Sequence, residues 1–498
     1  MGDLALLDVA VLAATLLLAV AAGLLLGRKA ASAQSFLAGE RDVPWGAVLL
    51  SIVATETSSV TFLSIPGVAW GGDLRFLQLP LGYLIGRVVV AHLLLPRYFE
   101  GQVLTSYEVL GRRFGPGVKR ASSLLFLVTR TLGDGLRLYL TALPLQLLTG
   151  WPLEGAAALL VGVTLAYTWF GGVRAVVWTD AVQFFIYVGG GVLALAVAIG
   201  DTSGGLAAVL ERADAAGKLR LFDGALDFTR TNTLLAGLLG GAFLTLATHG
   251  TDQLMVQRYL CAKGQREAGR ALVASGVVVL LQFALFLLLG LALHAWFTDR
   301  PPATPFAKGD EVFPAFIVGR LRELPGAVGL ILGALFAVSM STLSSSLNAS
   351  ASALVNDFGG ASGSVASSTA GSAARDSDAA RLRRARAATV LFALLQGALA
   401  LSGTLLTRSV VDVVLQIASF TSGITLGLFL LARQLGPLPD EAAARAVDAR
   451  AALVAFTVGL AGMTVVWRAT PLAWPWYALV GSLGTLAVGL LARRVAKG

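Results

Sequence analysis

The feature that most constrains this chain is a series of apolar segments, each about 20 residues long, that follow one another along its length. About 20 apolar residues in a helix span the hydrocarbon core of a bilayer. Charged residues make up 13% of the 498 residues, whereas soluble domains contain about 25%. The pattern predicts a polytopic helical membrane protein and excludes soluble, disordered, coiled-coil and disulfide-rich secreted proteins.

Thirteen segments meet this criterion, so we expect an all-α membrane protein with about 13 transmembrane helices. They are residues 5–27, 44–69, 75–97, 120–149, 153–172, 176–200, 232–257, 271–297, 324–353, 387–404, 409–432, 451–468 and 472–492. The first segment has no basic stretch before it, and Arg28 and Lys29 follow it. We therefore expect a retained span rather than a cleavable signal peptide.

Lysine and arginine are distributed unevenly between alternate loops. With the N-terminus outside, the inside loops carry 24 of the 38 basic residues and the outside loops carry 11, while three arginines lie within spans. Basic residues favour the cytoplasmic side of a membrane. The count predicts an outside N-terminus and an inside C-terminus, and the net charge of +9 reports this topology rather than a nucleic-acid partner.

The connections between spans are too short for a separate catalytic or nucleotide-binding domain. The sequence has no Walker loop, HExxH or GxSxG motif, so we expect neither an enzyme nor ATP-driven transport. Short helices are expected near 206–216 in the 201–231 loop and, as a re-entrant segment, near 312–321. Residues 358–386 begin with Gly and Ser and are expected to be a flexible linker.

Polar residues inside two apolar segments predict interrupted helices, because polar groups are costly in the bilayer core. The second span carries six hydroxyl residues and Glu56 within residues 51–61. An unwound segment near Ala54–Thr57 would free carbonyl oxygens for a cation, while the alternative is a hydroxyl-rich packing face. The seventh span has Gly250 within the polar stretch 245–253, which predicts a second interruption and leaves His249 as a candidate functional histidine.

The ninth span carries a run of hydroxyl side chains at helical spacing. Ser341, Ser344, Ser345 and Asn348 lie along one face. Such oxygens suit a weakly held monovalent cation, and the alternative is that they bond back to carbonyls of their own helix.

Charged residues lie in two further spans. In the fourth span, Asp134 lies one turn from both Arg130 and Arg137. This arrangement is either an internal ion-pair network or a site where one arginine holds an anionic solute group. In the sixth span, Asp180 is either an inner cation ligand or an acid at the end of the helix.

These motifs resemble those of the sodium/solute symporter family over about residues 5–495. Residues 171–183 resemble the family segment GG-x-x-AV-x-x-TD-x-x-Q, and residues 251–263 resemble its second signature, polar-Q-x-x-x-QR-x-L-x-x-K. Residues 340–345 resemble the family's cation-site helix, and the 104–114 loop is also similar.

The resemblance implies an inverted five-plus-five helix repeat of the leucine-transporter type, with one helix before it and two after it. The whole chain, residues 1–498, would then form a single transporter domain. Its parts would be the extra first helix at 5–43, the first core repeat at 44–200, the outside loop at 201–231, the second core repeat at 232–432 and the two C-terminal helices at 451–492.

The resemblance also implies two sodium sites and a solute site. The first sodium site would use carbonyls of Ala54, Thr57 and Val338 and hydroxyls of Ser341 and Thr342, and the second would use Asp180, Ser344 and Ser345. The implied solute residues are Glu56, Ser58, Thr61, Gln78, Thr245 and Thr248, to which the polar pattern adds Arg137 and His249. Thr248 replaces the aromatic gate of sugar-transporting relatives, which argues against a sugar.

We therefore expect a secondary active symporter that couples inward sodium flow to uptake of a small polar or anionic organic solute. Sodium would be the co-transported ion, with no organic cofactor, and the partners would be the solute and the lipid bilayer. The expected location is the cell membrane, in a bacterium the inner membrane. The alternatives are a transporter-like sensor or receptor, a proton-coupled transporter of the same fold, a facilitator or channel, and a major-facilitator transporter.

Overall fold

The computed structural model describes residues 5–27, 32–100, 103–359, 372–403, 410–436 and 438–497. Within these ranges the chain is almost entirely helical, and its one β-type pairing is the isolated bridge between Val43 and Ala262. The α-helices are α1 Leu6–Gly27, α2 Ala33–Ala38, α3 Trp45–Glu56, α4 Ser59–Gly71, α5 Gln78–Leu93, α6 Leu95–Phe99, α7 Ser106–Phe114, α8 Pro116–Thr149, α9 Leu153–Gly200, α10 Gly205–Ala215, α11 Gly241–Thr251, α12 Gln253–Cys261, α13 Gln265–Asp299, α14 Val312–Gly319, α15 Ala327–Phe358, α16 Ser372–Ser402, α17 Val410–Gln434, α18 Ala442–Ala469 and α19 Trp476–Lys497.

The described residues include nine helices that are long and apolar enough to cross a membrane, and the bent pair α3 and α4 adds a tenth. This composition identifies a polytopic membrane protein. Each of the 13 predicted spans falls on one of the helices or on two consecutive ones. The number that cross the membrane and their orientation stay predictions.

The long helix α9 contains two predicted spans and bends between them. A straight helix of its 48 residues would measure about 72 Å, more than twice the roughly 30 Å of a bilayer core. Gly172 interrupts it with φ 57° and ψ −153°. A Cβ at this position would meet the Phe36 carbonyl oxygen at 2.5 Å, so both the backbone angle and the close approach of α2 require glycine.

Two spans are interrupted, as the polar pattern predicted. The helix α3 ends at Glu56, Thr57 and Ser58 are extended, and α4 starts at Ser59 with an axis bent by 62°. The second interruption lies at Asp252, two residues after the predicted Gly250. The Asp252 carboxylate accepts the Leu254 N–H at 2.8 Å and so caps α12, which explains why the new helix begins there.

The helix α15 forms the centre of the molecule. It is almost wholly buried and packs against α1, α3, α8, α9 and α16. Its apolar residues, such as Phe336, Met340 and Leu347, join the main hydrophobic core. Its hydroxyl residues Ser341 and Ser345 turn towards α3 and α9, so a polar strip lies next to the first interruption.

Two short helices and one linker complete the comparison with the predictions. The helices α10 and α14 confirm the short helices expected near 206–216 and 312–321. The predicted linker at 358–386 is wrong over its second half, because α16 already begins at Ser372. Alanine and arginine are strong helix formers and dominate residues 379–388, which explains the helix. Residues 360–371 lie outside the described part.

Candidate functional site

A cavity of about 400 Å³ lies beside both interruptions. Its wall is formed by parts of α3, α4, α5, α8, α11, α12, α13 and α17 and by residues of the connecting loops, among them Asn232 and Trp474. Seven of the eight predicted solute residues line it, namely Glu56, Ser58, Thr61, Arg137, Thr245, Thr248 and His249. The remaining wall is largely apolar, with Phe76, Tyr83 and Phe283 among its members. A few polar groups in an apolar pocket are typical of a small-molecule site.

Gln78 does not line this cavity. Its amide nitrogen donates to the carbonyls of Arg75 and Asn232 at 3.0 and 3.1 Å, and its carbonyl accepts the Asp223 N–H at 3.2 Å. The amide is 1% exposed, and both its donor and acceptor sides are used. Gln78 therefore fixes the loop that carries Asn232 rather than contacting a solute in this conformation.

Oxygen atoms of the predicted first sodium site converge where α15 passes the interruption after α3. The Thr342 hydroxyl lies 3.4 Å from the Thr57 carbonyl oxygen and 3.2 Å from that of Val338. The last carbonyls of a helix have no partner within it. Ala54 is in this position, since the Ser58 N–H that would reach it in a continuous helix points to the Thr61 hydroxyl instead. The interruption thus supplies free carbonyl oxygen in a buried place.

The predicted second sodium site contains a buried ion pair. The Asp180 carboxylate accepts Ser51 at 2.6 Å, Ser341 at 2.7 Å and the Arg258 guanidinium at 3.1 Å. The same guanidinium donates to Ser345 and Ser51.

The third residue of that predicted site is used locally. The Ser344 hydroxyl bonds back to the Ser341 carbonyl at 3.2 Å, which is the alternative considered for this face. The structure therefore brings Asp180 and Ser345 together but holds a protein cation between them.

Glu56 lies in a second buried charge cluster at the cavity wall. The Arg87 guanidinium, which is completely buried, donates to the Glu56 carboxylate and to the Ser275 hydroxyl. The His249 Nε2 atom lies 3.5 Å from the same carboxylate. Arg87, which is not among the cavity-lining residues, thus neutralises the charge of Glu56. Glu56 itself lines the cavity beside His249.

The α8 cluster forms the other charged part of the wall. Arg130 binds Asp134 through two nitrogens at 2.5 and 2.9 Å, whereas Arg137 binds it through one nitrogen at 2.5 Å. Asp252 lines the same cavity and interacts electrostatically with both arginines. Counted as ionised groups, the acids Asp134 and Asp252 balance the two arginines of this cluster.

Two buried arginines, Arg87 and Arg258, pair with predicted site residues and were not predicted as their partners. A charge inside the third predicted span was the available signal for Arg87, and the QR of the second signature was the signal for Arg258. Neither signal indicates which acid the arginine pairs with, because that acid lies on another helix. Thr57 also makes unforeseen contacts, since its hydroxyl bonds Gln282 at 3.0 Å and Tyr187 at 3.2 Å.

Comparison with known proteins identifies relatives of this chain. The model of the "Sodium:solute symporter family" matches residues 36–432. The chain is 32% identical over 335 residues to sodium-coupled monocarboxylate transporter 2 of Bos taurus, covering 66% of this chain and 54% of that protein. It is 30% identical over 357 residues to the sodium/iodide cotransporter of Homo sapiens, covering 70% and 55%. The chain thus spans about half the length of these relatives.

Solved structures show the same fold. A Na⁺-coupled sialic acid symporter in a substrate-bound outward-open state superposes with a TM-score of 0.85 at 24% identity, covering 99% of this chain and 98% of that one. Mhp1, a nucleobase-cation-symport-1 family transporter, superposes with a TM-score of 0.58 at 14% identity, covering 93% and 94%. The family match covers most of the chain, and the interrupted helices, the buried oxygens and the fold agree with it: this chain belongs to the sodium:solute symporter family.

Proposed function

We propose that this protein is a secondary active symporter that couples inward sodium flow to uptake of a small organic anion by alternating access. One observation carries the proposal. The oxygens of Thr57, Val338 and Thr342 converge beside the interrupted helix, and Thr342 and Arg137 border the same small void of about 10 Å³. A cation site and an anion-binding side chain are therefore neighbours.

The first ion would be held by carbonyls of Ala54, Thr57 and Val338 and by hydroxyls of Ser341 and Thr342. Sodium is a hard cation that takes oxygen ligands, and carbonyls freed at an unwound helix are such ligands. The Ser341 proton is donated to Asp180, which leaves the oxygen lone pairs for the ion. Ion binding would fix α3, α4 and α15 relative to one another.

The case for an anion rests on charge balance. The acids around the cavity are Glu56, Asp134 and Asp252, and the arginines are Arg87, Arg130 and Arg137. These charges cancel, so a bound sodium ion adds one positive charge to a buried site. A monoanionic solute would restore neutrality, and this lowers the cost of burying both charges.

Two named relatives support an anionic solute. They are described as a monocarboxylate transporter and an iodide cotransporter, both sodium-coupled. A monocarboxylate has one negative charge and fits a cavity of about 400 Å³. Both arginines line the cavity, but Arg137 is the proposed anchor because it donates one hydrogen bond to Asp134, whereas Arg130 donates two.

The topology and the second ion belong to the same proposal. We propose 13 transmembrane helices with the N-terminus outside, arranged as the inverted five-plus-five repeat, in the cell membrane. A second sodium at Asp180, Ser344 and Ser345 would require the Arg258 guanidinium to leave Asp180. That ion is therefore proposed only for a conformation in which α12 has withdrawn.

Uptake by the purified protein in proteoliposomes tests the function. We expect uptake of [¹⁴C]propionate or [¹⁴C]butyrate to require an inward sodium gradient and to continue when a proton ionophore is present. A potassium gradient of equal size is the control. Uptake that follows a proton gradient without sodium would support the proton-coupled alternative. Sodium-independent equilibration would support a facilitator.

A further inference from the structure

A single polar side chain interrupts an apolar stretch of α13. Gln282 is the only polar side chain between residues 277 and 290, and it is 4% exposed. The helix is long and apolar enough to cross a membrane, where a polar group without a partner is costly. The partners of Gln282 therefore indicate what this residue does, and they lie at the first interruption.

Three side chains from three helices meet there. The Gln282 amide nitrogen donates to the Thr57 hydroxyl at 2.8 Å, and the Gln282 carbonyl oxygen accepts the Tyr187 hydroxyl of α9 at 2.9 Å. The Thr57 and Tyr187 hydroxyls are 3.2 Å apart. Both residues are buried, and none of the three lines the solute cavity. Their contacts therefore act on the interrupted helix and leave the solute untouched.

Thr57 is the residue at which α3 ends. Its backbone is extended, with φ −71° and ψ 119°, and its carbonyl oxygen lies 3.4 Å from the Thr342 hydroxyl of α15. Its hydroxyl also reaches the Val53 carbonyl at 2.8 Å, a contact within α3 itself. Gln282 and Tyr187 are the partners on other helices. They hold the Thr57 side chain on the side of α9 and α13 while its carbonyl faces α15.

We propose that Gln282 and Tyr187 are positioning residues for the first sodium site, because they hold Thr57 so that its carbonyl oxygen is directed at the ion before the ion binds. Sodium then does not have to order the interrupted segment, and this raises its affinity. The inference rests on the proposed function, since it takes the Thr57 carbonyl as a sodium ligand. The alternative is that the three side chains only join α3, α9 and α13 to one another.

Sodium binding to the purified protein in detergent tests the proposal without a transported solute. The dissociation constant of sodium is obtained from the rise of Tm with sodium concentration, with N-methyl-D-glucamine chloride keeping the ionic strength constant. We expect Gln282→Leu and Thr57→Val to weaken sodium binding at least fivefold. A fivefold change is about 1 kcal/mol, the usual contribution of one hydrogen bond.

Conservative variants refine this test. Thr57→Ser keeps the hydroxyl and should bind sodium within twofold of the wild type. Tyr187→Phe leaves the contact between Gln282 and Thr57 in place, so it should weaken sodium binding less than Gln282→Leu does. Thr57→Val combined with Gln282→Leu should bind sodium about as well as the weaker of the two single variants, because both remove the same contact.

A matched control separates positioning from general stability. Tyr98→Phe removes a buried hydroxyl that donates to the Gly250 carbonyl at 2.5 Å, between α6 and α11 rather than at the first interruption. We expect this variant to lower the Tm measured without sodium and to keep the sodium dissociation constant of the wild type.

The outcomes distinguish this proposal from the proposed function. If Gln282→Leu and Thr57→Val lower the Tm but keep the sodium dissociation constant, the contacts are only structural and the proposal is wrong, while the sodium site stands. The proposal is also wrong if Tyr98→Phe weakens sodium binding as much as Gln282→Leu does. If sodium does not raise the Tm of the wild-type protein, the sodium site of the proposed function fails, and the positioning role fails with it.

Discussion

Ser341 donates its hydroxyl proton to the Asp180 carboxylate at 2.7 Å, and this contact joins the two predicted cation sites. Asp180 also accepts from Arg258 on α12, the helix that starts at the second interruption. A change at the first sodium site can therefore reach α12 through two hydrogen bonds. In the proposed transport cycle, these contacts would connect sodium binding to the position of α12.

The first prediction concerns the hydroxyls of the first sodium site. Replacing both Ser341 and Thr342 by alanine should raise the sodium concentration for half-maximal uptake at least tenfold. A tenfold change is about 1.4 kcal/mol, the contribution of one or two ligand oxygens. Ser350→Ala is the control, because this buried serine lies on the same helix and its hydroxyl has no partner among the described residues. If the double variant keeps the sodium dependence of the wild type, these two hydroxyls do not bind the sodium ion.

The second prediction concerns the buried ion pair. Asp180→Asn or Arg258→Gln alone should destabilise the protein by about 3–5 kcal/mol, because each leaves a buried charge without its partner. The combined variant should cost clearly less than the sum of the two. Unfolding in detergent measures this double-mutant cycle, with Asp227→Asn in an exposed loop as the control. Additive losses would mean that the two residues do not stabilise each other.

The same variants report on the second sodium ion. If Arg258 stays on Asp180 throughout transport, only the first sodium binds and sodium activates uptake with a Hill coefficient near one. A coefficient above one in the unmutated protein, lowered towards one by Asp180→Asn, would show that Arg258 leaves and that a second ion binds there.

The interruptions could be predicted because their signal is local, whereas most of the cavity lining was implied by the resemblance to the symporter family. A run of hydroxyls around Glu56 is unfavourable in a lipid-facing helix whatever the rest of the fold does. The second interruption lies two residues beyond the predicted Gly250 because the capping carboxylate of Asp252, rather than the glycine, sets where the new helix begins.

The ion pairs of Arg87 and Arg258 could not be predicted in this way. They depend on which helices become neighbours, and the sequence distance between partners is 31 residues in one pair and 78 in the other. The balance of charges around the cavity also depends on which helices become neighbours. The α8 cluster has one excess positive charge in sequence, and only the fold brings Asp252 beside it.

The third prediction tests the structural role of Gln78. Gln78→Leu removes three hydrogen bonds to the backbone of Arg75, Asn232 and Asp223. We expect a loss of stability of about 2–3 kcal/mol and a change of less than twofold in the KM of the transported solute. Thermal unfolding in detergent and uptake kinetics measure the two effects. A large rise in KM without a loss of stability would mean that Gln78 contacts the solute.

The fourth prediction concerns pH and the loop after α9. The Arg320 guanidinium donates to Asp201 at 2.5 and 3.1 Å and holds the pKa of that carboxyl below its ordinary value. A lowered pKa stabilises the folded protein above the ordinary value of about 4, and the effect is lost as the pH falls towards the folded pKa. Because the pair is near the surface, Arg320→Gln should lower the Tm at pH 6 by only about 1–2 °C and by less at pH 3. An equal loss at both pH values would contradict this.

The fifth prediction separates the two arginines of α8. Arg130 is bound to Asp134 through two nitrogens, whereas Arg137 uses one and lines the same small void as Thr342, a residue of the proposed first sodium site. If Arg137 anchors the solute, Arg137→Gln should weaken solute binding by roughly 2–5 kcal/mol, as for the loss of one member of a buried charge pair. Arg130→Gln should mainly lower the yield of folded protein. Butyrate-dependent uptake kinetics and the amount of monodisperse protein distinguish the two effects. Equal losses of affinity in both variants would mean that the whole cluster, rather than Arg137, holds the anion, and an uncharged transported solute would exclude the anchor altogether.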